Sequence, residues 1–576
     1  MGVVSTAIPP FLRLHRFCAA LLGGVLLGLA FAPLGWWWLT FVAFVPLMAV
    51  QPPRSFWGRL CTGAIFGYGY FAVSLHWLNT VGFGAGWLLA GYCAMFPALW
   101  YCIFSGMITC RLPEQKVFSR FLPWCRMTVP GRLWTIVGSA AAWVALEWVR
   151  AWFLTGFPWN QLGVAFAPQP QLRMLASLAG TYGLSFIVLL VNGILAGLAA
   201  QEDTASGKSP VKRNVFITLA VAGLVLAAAF ASGEWLRRSC LKHHDGSRRE
   251  TLRVAAIQGN LPMNRFWDDD VFNKSWHTYS TLTRAAKAGC ADAPDIYMWP
   301  EGAMPSVIVY DEYSRRLRSL LGALNAPLLL GALDERIDGD ASQTAGRMVT
   351  NTFNSVFLLE RTSPVLYNPL AERTDCYDKI HLVPFGEYVP LRKIFPWLVE
   401  MISMGRDLTA GQNYRLFSLG GAKNVAAGVN ICFEDVFPEI SRRFTLDGAE
   451  VLMTVTDDCW YGTSAGAAQH RNHAVMRAVE NSRYLMRSGN NSDTCLITPT
   501  GEITGVIMNE EDGSPFTAGW RCYTIPVRGE KPQLTCYTRT GNLFAVFTAL
   551  LTCAVLAEQH VTLLRHLKKM MTAAKR

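Results

Sequence analysis

Eight apolar windows, each close to the length of a membrane-spanning helix, constrain this 576-residue chain more than any other feature. A bilayer core about 30 Å thick needs about 20 apolar residues of helix. The predicted spans are 17–32, 35–50, 57–78, 86–109, 133–154, 182–200, 215–231 and 541–564, of which the first two are short enough to form one helical hairpin. Because a soluble fold could hardly bury eight such helices, we predict a polytopic α-helical membrane domain over 1–233 with about seven spans. A last span and a basic cytoplasmic tail follow over 540–576.

The charge of the chain is divided unevenly between two regions. The whole chain has a net charge of +11, which taken alone suggests a nucleic-acid partner. Residues 234–539, however, hold 33 basic and 36 acidic residues, whereas the remaining 270 residues hold 19 basic and 5 acidic ones. The polar region is therefore slightly acidic, and we predict that the protein does not bind nucleic acid.

The basic residues of the apolar region predict its orientation. Seventeen of the 19 lie at the two termini and in alternate loops between the predicted spans. Lys and Arg are enriched on the cytoplasmic side of a membrane. We therefore expect both termini in the cytoplasm and residues 234–539 as an extracytoplasmic domain. The expected location is the inner membrane of a bacterium, with this domain in the periplasm.

One predicted span ends in two charged residues, Glu147 and Arg150, followed by an aromatic loop that contains Trp159. Charges inside a membrane are costly and usually face a partner or a cavity. One interpretation is a mutual ion pair at the interface. The other is a loop in which Glu147, Arg150 and Trp159 contact lipid headgroups.

Fifteen cysteines are distributed over the chain, eight of them in 234–539. Their spacing does not match a zinc site, and no glycine-rich phosphate loop is evident, so we predict neither a metal nor a cofactor. An oxidising compartment would permit disulfides, but the sequence leaves their connectivity open.

Short apolar runs alternate with amphipathic stretches in the polar region, which is typical of a layered α/β fold. The predicted strands are 252–258, 295–299, 327–333, 354–360, 425–432, 451–456 and 494–498. The predicted helices are 271–288, 311–324, 438–446 and 466–486.

Reactive side chains stand at the ends of these predicted elements. Glu301 follows a strand, Lys379 and Glu387 lie in one polar stretch, and Cys432 ends an apolar strand. A thiol becomes a strong nucleophile when a base removes its proton, and a carboxylate can be that base. A neighbouring Lys can stabilise a developing oxyanion. Each residue alone is weak evidence, but their combination is specific.

The motifs that carry these residues resemble the nitrilase superfamily, and the helices around them resemble its membrane-embedded branch, the apolipoprotein N-acyltransferases. The motifs are Trp-Pro-Glu at 299–301, Asp-Lys-Ile-His-Leu-Val-Pro-Phe-Gly-Glu-Tyr-Val-Pro at 378–390 and Ile-Cys-Phe-Glu-Asp at 431–435. Further matches are the Thr-Gly-Phe-Pro-Trp loop at 155–159, Gln-Gly-Asn-Leu-Pro at 258–262, Asp-Cys-Trp-Tyr-Gly at 458–462 and Asn-Asn at 490–491. The chain departs from the family at Phe433, where Tyr is usual, and at Cys459, where a small residue is usual.

The resemblance implies an α-β-β-α sandwich and a Glu–Lys–Cys triad. Glu301 would be the general base and acid, Lys379 the oxyanion stabiliser and Cys432 the nucleophile. Glu387 would be a supporting second acid. The residues expected to shape the site or its access are Glu434, Trp267, Tyr388 and Trp460. The apolar stretch 383–411 would be either a buried flap or a mobile lid that faces lipid.

The implied activity is transfer of an acyl chain from a phospholipid to the α-amine of the diacylglyceryl-cysteine of a lipoprotein, through a thioester on Cys432. The expected partners are a phospholipid donor, a diacylated apolipoprotein acceptor and the membrane, and the expected state is a monomer. The alternatives are a membrane-tethered amidase or nitrilase that acts on soluble amides, and a non-catalytic lipid-binding protein.

A second nucleophile motif, G-x-S-x-G around Ser464, is expected to be incidental. A nucleophile elbow needs a strand that runs directly into the Ser, and here Cys-Trp-Tyr-Gly-Thr precedes it. His470 also lies too close in sequence for the usual late histidine of that triad.

Overall fold

The computed structural model describes residues 10–111, 127–198, 211–245, 250–262, 269–307, 311–337, 350–368, 373–397, 407–527 and 533–574. The chain divides into two compact units. One comprises Met1–Arg237 and Thr540–Arg576, and the other comprises Arg238–Arg539.

The first unit consists of helices in the part of the chain that the structure describes. The helices are Pro10–Gly28, Val45–Ala49, Phe56–Ser74, Ala85–Arg111, Val129–Arg150, Pro170–Arg173, Ala176–Leu198, Val211–Asp245 and Leu543–Ala574. Within the described ranges, five stretches are long and apolar enough to cross a membrane: Ala85–Cys110, Val129–Arg150, Ala176–Gly197, Val215–His244 and Leu543–Arg565. These helices support a membrane protein, but the predicted count of about eight spans is not confirmed.

The second predicted span is wrong as a continuous helix. Its residues form a 3-10 turn, Trp37–Phe41, and a separate five-residue helix, Val45–Ala49. Pro46 lies in the first turn of the short helix, where its missing N–H costs nothing, whereas in the middle of a longer helix it would remove a hydrogen bond. The apolar composition of this window therefore does not predict its helical length.

The second unit contains thirteen strands among its described residues. They are β1 (Glu250–Gln258), β2 (Ile296–Met298), β3 (Met304–Val307), β4 (Leu328–Ile337), β5 (Thr350–Leu359), β6 (Cys376–Asp378), β7 (Leu416–Leu419), β8 (Val425–Ile431), β9 (Val451–Thr456), β10 (Tyr484–Gly489), β11 (Cys495–Ile497), β12 (Ile503–Thr504) and β13 (Gly519–Val527).

These strands form two sheets. The order in the first sheet is β13-β1-β2-β4-β5-β6, with β3 paired to β4, and the order in the second is β12-β11-β10-β9-β8-β7. Strands β8, β9 and β10 are parallel and almost wholly buried, which explains why β8 and β9 are largely apolar in sequence. Because parallel strands end at the same edge, the residues that follow β8, β9 and β10 are brought together there.

Two helices cover each sheet. Asp269–Gly289 and Asp311–Leu324 pack their apolar faces on the first sheet, in a core that includes Tyr279, Trp299 and Leu320. Pro438–Leu446 and Ala465–Asn481 contact the second sheet. The layers are therefore α-β-β-α, which is the nitrilase-like sandwich that the resemblance implies. The seven predicted strands are all present, with ends that differ by at most four residues, and Cys432 lies just past the end of β8.

The predicted helix 466–486 is wrong in its last turn and a half. The helix ends at Asn481, and Ser482 adopts a left-handed conformation with φ 52°. The chain then enters β10, which pairs with β9 in the middle of the second sheet. A left-handed C-cap interrupts the helical hydrogen bonds, and the apolar residues that follow pack equally well in a strand.

One disulfide joins the end of a surface helix to the edge of the first sheet in the described chain. Cys290 directly follows the helix Asp269–Gly289, and its partner Cys522 lies in β13. The sequence did not indicate this pairing, since the two residues are 232 positions apart.

Candidate active site

Glu301 lies in a tight turn directly after β2. The preceding Trp299 is fully buried, and its indole N–H donates to the hydroxyl of Thr283 at 2.8 Å. On the neighbouring strand β4, Gly331 passes so close to this turn that an added Cβ would lie 2.6 Å from the Glu301 Cα. Only a glycine at position 331 therefore allows the turn of Glu301 to pack this closely against β4.

Both oxygens of the Glu301 carboxylate accept hydrogen bonds. Oε1 accepts from the Asn354 side chain at 2.7 Å and from the Lys379 ammonium at 3.2 Å. Oε2 accepts from the backbone N–H of Asp457, which follows β9 on the other sheet, at 3.0 Å. The carboxylate is thus held by both sheets.

Lys379 follows β6 and is 1% exposed. Its Nζ lies 2.9 Å from Oε1 of Glu387 in addition to its contact with Glu301. Burial alone lowers the pKa of Lys379, but the carboxylates of Glu301 and Glu387 outweigh burial and hold that pKa well above its usual value. The site therefore keeps a permanent cation between two acids.

Asn354 is a site residue that the sequence did not reveal. Its amide nitrogen donates to Oε1 of Glu301 at 2.7 Å and to Oε1 of Glu387 at 2.8 Å, so it bridges the same two oxygens as Lys379. Its backbone carbonyl also accepts from the N–H of Lys379. The one available signal was an amide at the start of an otherwise apolar strand.

Cys432 comes directly after β8, at the first residue of a 3-10 turn, with φ 52°. Its side chain is buried. Burial raises the pKa of the Cys432 thiol well above its usual value, the Glu301 carboxylate raises it further, and the charge of Lys379 opposes both. The structure thus brings Glu301, Lys379 and Cys432 to one place, with the thiol protonated at rest.

Glu434 connects the turn of Cys432 to the segment after Lys379. Its carboxylate accepts from the backbone N–H of Ile431 at 2.8 Å, of Ile380 at 2.7 Å and of His381 at 3.2 Å, and from the hydroxyl of Tyr377 at 2.9 Å. Burial raises the pKa of Glu434 to about 7, against these donors and the charge of Lys379. The contacts make Glu434 a positioning group for both segments.

We expect Glu434→Gln to lower the acyl-transfer rate by about 10- to 100-fold and the free energy of unfolding by about 1–3 kcal/mol. The amide would turn an N–H toward a backbone donor and leave it without an acceptor. The wild-type rate should fall as the pH drops through about 7, where Glu434 takes up a proton, and the variant should lose this step. Rate–pH profiles and thermal unfolding measure both effects, with the exposed Glu502→Gln as the matched control. A Glu434→Gln rate equal to that of wild type would contradict the positioning role.

The structure describes three of the other predicted residues. Glu387 accepts from the backbone N–H of Val383 at 2.7 Å as well as from Lys379. Tyr388 is half-buried, and its carbonyl accepts from the N–H of Phe385 at 2.8 Å. Trp460 is 38% exposed in the turn Asp458–Tyr461. Trp267 lies outside the described residues.

The apolar stretch 383–411 is described over 383–397 and 407–411. Within these ranges several large apolar side chains are exposed, namely Phe385, Leu391, Ile394, Phe395 and Trp397. A wholly buried flap does not fit this exposure, and the lid that faces lipid remains a prediction.

The predicted membrane loop is held by backbone contacts within the first unit. Arg150 donates to the carbonyls of Phe157 at 2.6 Å and Trp159 at 2.9 Å, and Glu147 accepts from the N–H of Leu162 at 2.9 Å. Glu147, Arg150 and Trp159 are all buried, and no ion pair joins Glu147 to Arg150 within the described chain. Glu147 and Arg150 therefore each bind the backbone of the loop separately instead of pairing with each other. The headgroup contact remains a prediction.

Ser464 is the N-cap of the helix Ala465–Asn481, where its hydroxyl accepts from the N–H of Gly466. This role explains the residue without a nucleophile elbow.

Phe433, one of the two departures from the family pattern, is buried and packs on Phe437 with ring centroids 5.1 Å apart. Cys459, the other departure, lies with its sulfur beside Asn490 at 2.9 Å.

Comparisons with known proteins show which family the chain belongs to. Residues 23–194 match the family model of the apolipoprotein N-acyltransferase N-terminal domain, and residues 253–514 match that of the carbon-nitrogen hydrolases. An apolipoprotein N-acyltransferase of Geobacter metallireducens is 31% identical over 524 residues, covering 87% of this chain and 88% of that protein. Those of Azotobacter vinelandii and Photobacterium profundum are 32% and 28% identical over 498 and 555 residues, covering 84% and 92% of this chain and 85% and 92% of those proteins.

A solved structure of a branch 10 nitrilase-superfamily protein from Saccharomyces cerevisiae matches 48% of this chain and 90% of that chain, at 14% identity and a TM-score of 0.33. The relatives, in contrast, match nearly the whole length of the chain at up to 32% identity. The chain therefore belongs to the apolipoprotein N-acyltransferase family.

Proposed function

We propose that this protein transfers an acyl chain from a membrane phospholipid to the N-terminal α-amine of a diacylglyceryl-cysteine lipoprotein, through a thioester on Cys432. The observation that carries the proposal is the arrangement of a buried thiol beside a carboxylate and a permanent cation. Family membership supports the acceptor class, because the relatives are named apolipoprotein N-acyltransferases.

In the first step, Glu301 acts as a general base. Its Oε2 accepts one hydrogen bond, from Asp457, and a carboxylate oxygen can accept a second. Glu301 takes the proton of the Cys432 thiol, and the sulfur attacks the carbonyl carbon of a phospholipid ester. A base is needed because the raised pKa keeps the thiol protonated.

The tetrahedral intermediate carries a negative charge on the former carbonyl oxygen. The Lys379 ammonium stabilises this oxyanion, since it is buried and charged beforehand. The ester C–O bond then breaks, and protonated Glu301 returns the proton to the leaving alkoxide. The products are a lysophospholipid and an acyl thioester on Cys432.

In the second step, the α-amine of the lipoprotein attacks the thioester carbonyl and Glu301 takes a proton from the amine. The C–S bond breaks, the amide is complete and the thiolate recovers its proton from Glu301. The two substrates use one site in succession, so ping-pong kinetics are expected. Both carry acyl chains that remain in a bilayer, which gives a reason for the apolar helices of the first unit.

We propose an inner-membrane location with the domain 234–539 on the periplasmic side, both termini in the cytoplasm and a monomeric state. The supporting observations are the apolar helices and the distribution of Lys and Arg along the chain.

The test is an incubation of the full chain in detergent with a phospholipid of defined acyl composition and a diacylated model lipopeptide. Mass spectrometry should show one added acyl chain on the N-terminal cysteine and an equal amount of lysophospholipid. A phospholipid with a different acyl chain should change the added mass accordingly. Hydrolysis of a soluble amide without lipid would favour the amidase alternative instead, and an unmodified lipopeptide with intact phospholipid would favour the non-catalytic one.

A further inference from the structure

Four charged side chains form a fully buried cluster next to Cys432. This charge quartet consists of Asp435, Asp458, His470 and Arg487, all of which have side chains with 0% exposure. They come from four different elements, namely the 3-10 turn of Cys432, the turn after β9, the helix Ala465–Asn481 and β10. Nothing in the proposed mechanism uses them.

The quartet pairs two cations with two anions, and the two cations also approach each other, with Arg487 Nη2 3.2 Å from Nδ1 of His470. His470 lies with Nδ1 2.9 Å from Asp458 and Nε2 2.8 Å from Asp435. Arg487 contacts the other oxygens of the same two carboxylates, at 2.6 Å and 3.0 Å. Burial alone lowers the pKa of His470, but the two carboxylates outweigh burial and raise it to about 9. The imidazole is therefore protonated at neutral pH, and the quartet is neutral.

Two contacts connect the quartet to the nucleophile. The Nε2–H of His470 donates to the backbone carbonyl of Cys432 at 3.1 Å. The hydroxyl of Thr456 donates to Asp458 at 2.8 Å and also contacts the Cys432 thiol. The negative charge of Asp458 acts on the same thiol, in the direction that raises its pKa.

We propose that His470 is a positioning residue for Cys432, which holds the nucleophile's carbonyl in the left-handed turn and cancels the negative charge beneath its thiol. The proposal rests on the role assigned above to Cys432. A φ of 52° is costly for a residue other than Gly, so the turn needs fixed partners on its backbone. Without the histidine charge, Arg487 balances only one of the two carboxylates, and the remaining negative charge near the sulfur would disfavour the thiolate that the reaction requires.

Besides Asp435, Asp458 and Arg487, the ring of Tyr461 faces His470, with centroids 6.1 Å apart. Removal of the histidine charge leaves the quartet at −1, whereas removal of the Asp458 charge leaves it at +1. The charge argument therefore requires effects of opposite sign from two neighbouring substitutions, which damage to packing alone would not produce.

The experiment compares His470→Gln, Asp458→Asn and the double variant in the full chain. The readout is the alkylation rate of Cys432 by iodoacetamide as a function of pH, followed by mass spectrometry of the Cys432 peptide. His470→Gln should raise the apparent thiol pKa by about one unit and slow alkylation about tenfold near neutral pH. Asp458→Asn should lower the apparent thiol pKa, and the double variant, which keeps the quartet neutral, should return close to the wild-type profile.

The proposal would be overturned if both single variants moved the apparent thiol pKa in the same direction. It would also be overturned if the double variant kept the raised thiol pKa expected of His470→Gln. If His470→Gln does not fold, the comparison of Asp458→Asn with the double variant still shows in which direction the loss of the histidine charge moves the thiol pKa. Failure of all three to fold would also overturn the proposal, because it would assign the quartet to stability alone. If the wild type forms no acyl adduct while the shifts appear, the proposed function fails and the role of His470 in setting the thiol pKa stands.

Discussion

Replacement of Cys432 by alanine should lower acyl transfer by at least about three orders of magnitude and abolish the covalent acyl-protein adduct. The proposed mechanism splits the reaction at a thioester, and no other group in the described site can carry the acyl chain between the two substrates. The side chain is buried beside Glu301 and Lys379, and Ala keeps the Cβ that the left-handed turn already accommodates. The variant should therefore fold with an unfolding temperature close to that of wild type.

The measurement uses a phospholipid with a radiolabelled acyl chain and the full chain in detergent. Wild-type protein should acquire a label that neutral hydroxylamine releases, as expected for a thioester, and Cys432→Ala should acquire none. Cys495→Ala is the matched control, because Cys495 is another fully buried thiol, in β11. A hydroxylamine-sensitive label on Cys432→Ala would reject Cys432 as the nucleophile, and loss of the label from Cys495→Ala would show that any buried thiol substitution disrupts the domain.

The sequence was sufficient to predict the parts of the site that carry local motifs. Glu301 and Cys432 each follow an apolar run whose end makes the polar residue conspicuous, whereas Lys379 follows the short strand β6, which was not among the predicted strands. The parallel strands β8 and β9 were also predictable, because burial on both faces makes them continuous apolar runs.

The contacts that hold the site together were not predictable, because they join residues that are distant in sequence. Asn354 is 53 positions from Glu301, and the donor from Asp457 is a backbone N–H, which no side-chain pattern can reveal. His470 was considered only as a partner of Ser464, yet it lies between two carboxylates and beneath Cys432. Such networks depend on the packing of two sheets, which composition and periodicity do not specify.

The errors in the predicted elements have a common physical cause. Window 35–50 was predicted from apolar composition and the helix 466–486 from an amphipathic pattern, and neither signal fixes the backbone conformation of every residue. In each case a local feature changes the backbone, Pro46 in the first and the left-handed Ser482 in the second.

Replacement of Lys379 by methionine should lower acyl transfer by about 100- to 1,000-fold through the lost oxyanion contact, and by more near neutral pH. The Oε1 atoms of Glu301 and Glu387 lie within 3.2 Å and 2.9 Å of the same ammonium, so its removal leaves two carboxylates side by side. Like charges at such separations raise the pKa of one member of the pair. The repulsion between the two carboxylates would disturb the position from which Glu301 takes the proton of the thiol.

Removal of one partner from a buried ionic group also costs stability, on the order of 3–5 kcal/mol. A double variant, Lys379→Met with Glu387→Gln, separates the two effects because it restores the charge balance around Glu301. The free energy of unfolding of the double variant should recover most of the loss, while its acyl-transfer rate should stay low. Lys423→Met is the matched control, since Lys423 pairs with Asp295 outside the site.

Unfolding in denaturant and formation of the labelled acyl-protein measure stability and the first chemical step separately. A double variant that recovers both stability and acylation would show that Lys379 acts only by balancing charge and that the oxyanion is stabilised by other groups. Recovery of stability without acylation would mean that the reaction needs the cation itself, held where the structure places it between two acids and next to the thiol. The buried cation would then be retained for its action on the oxyanion, because charge balance alone could be met by neutral residues.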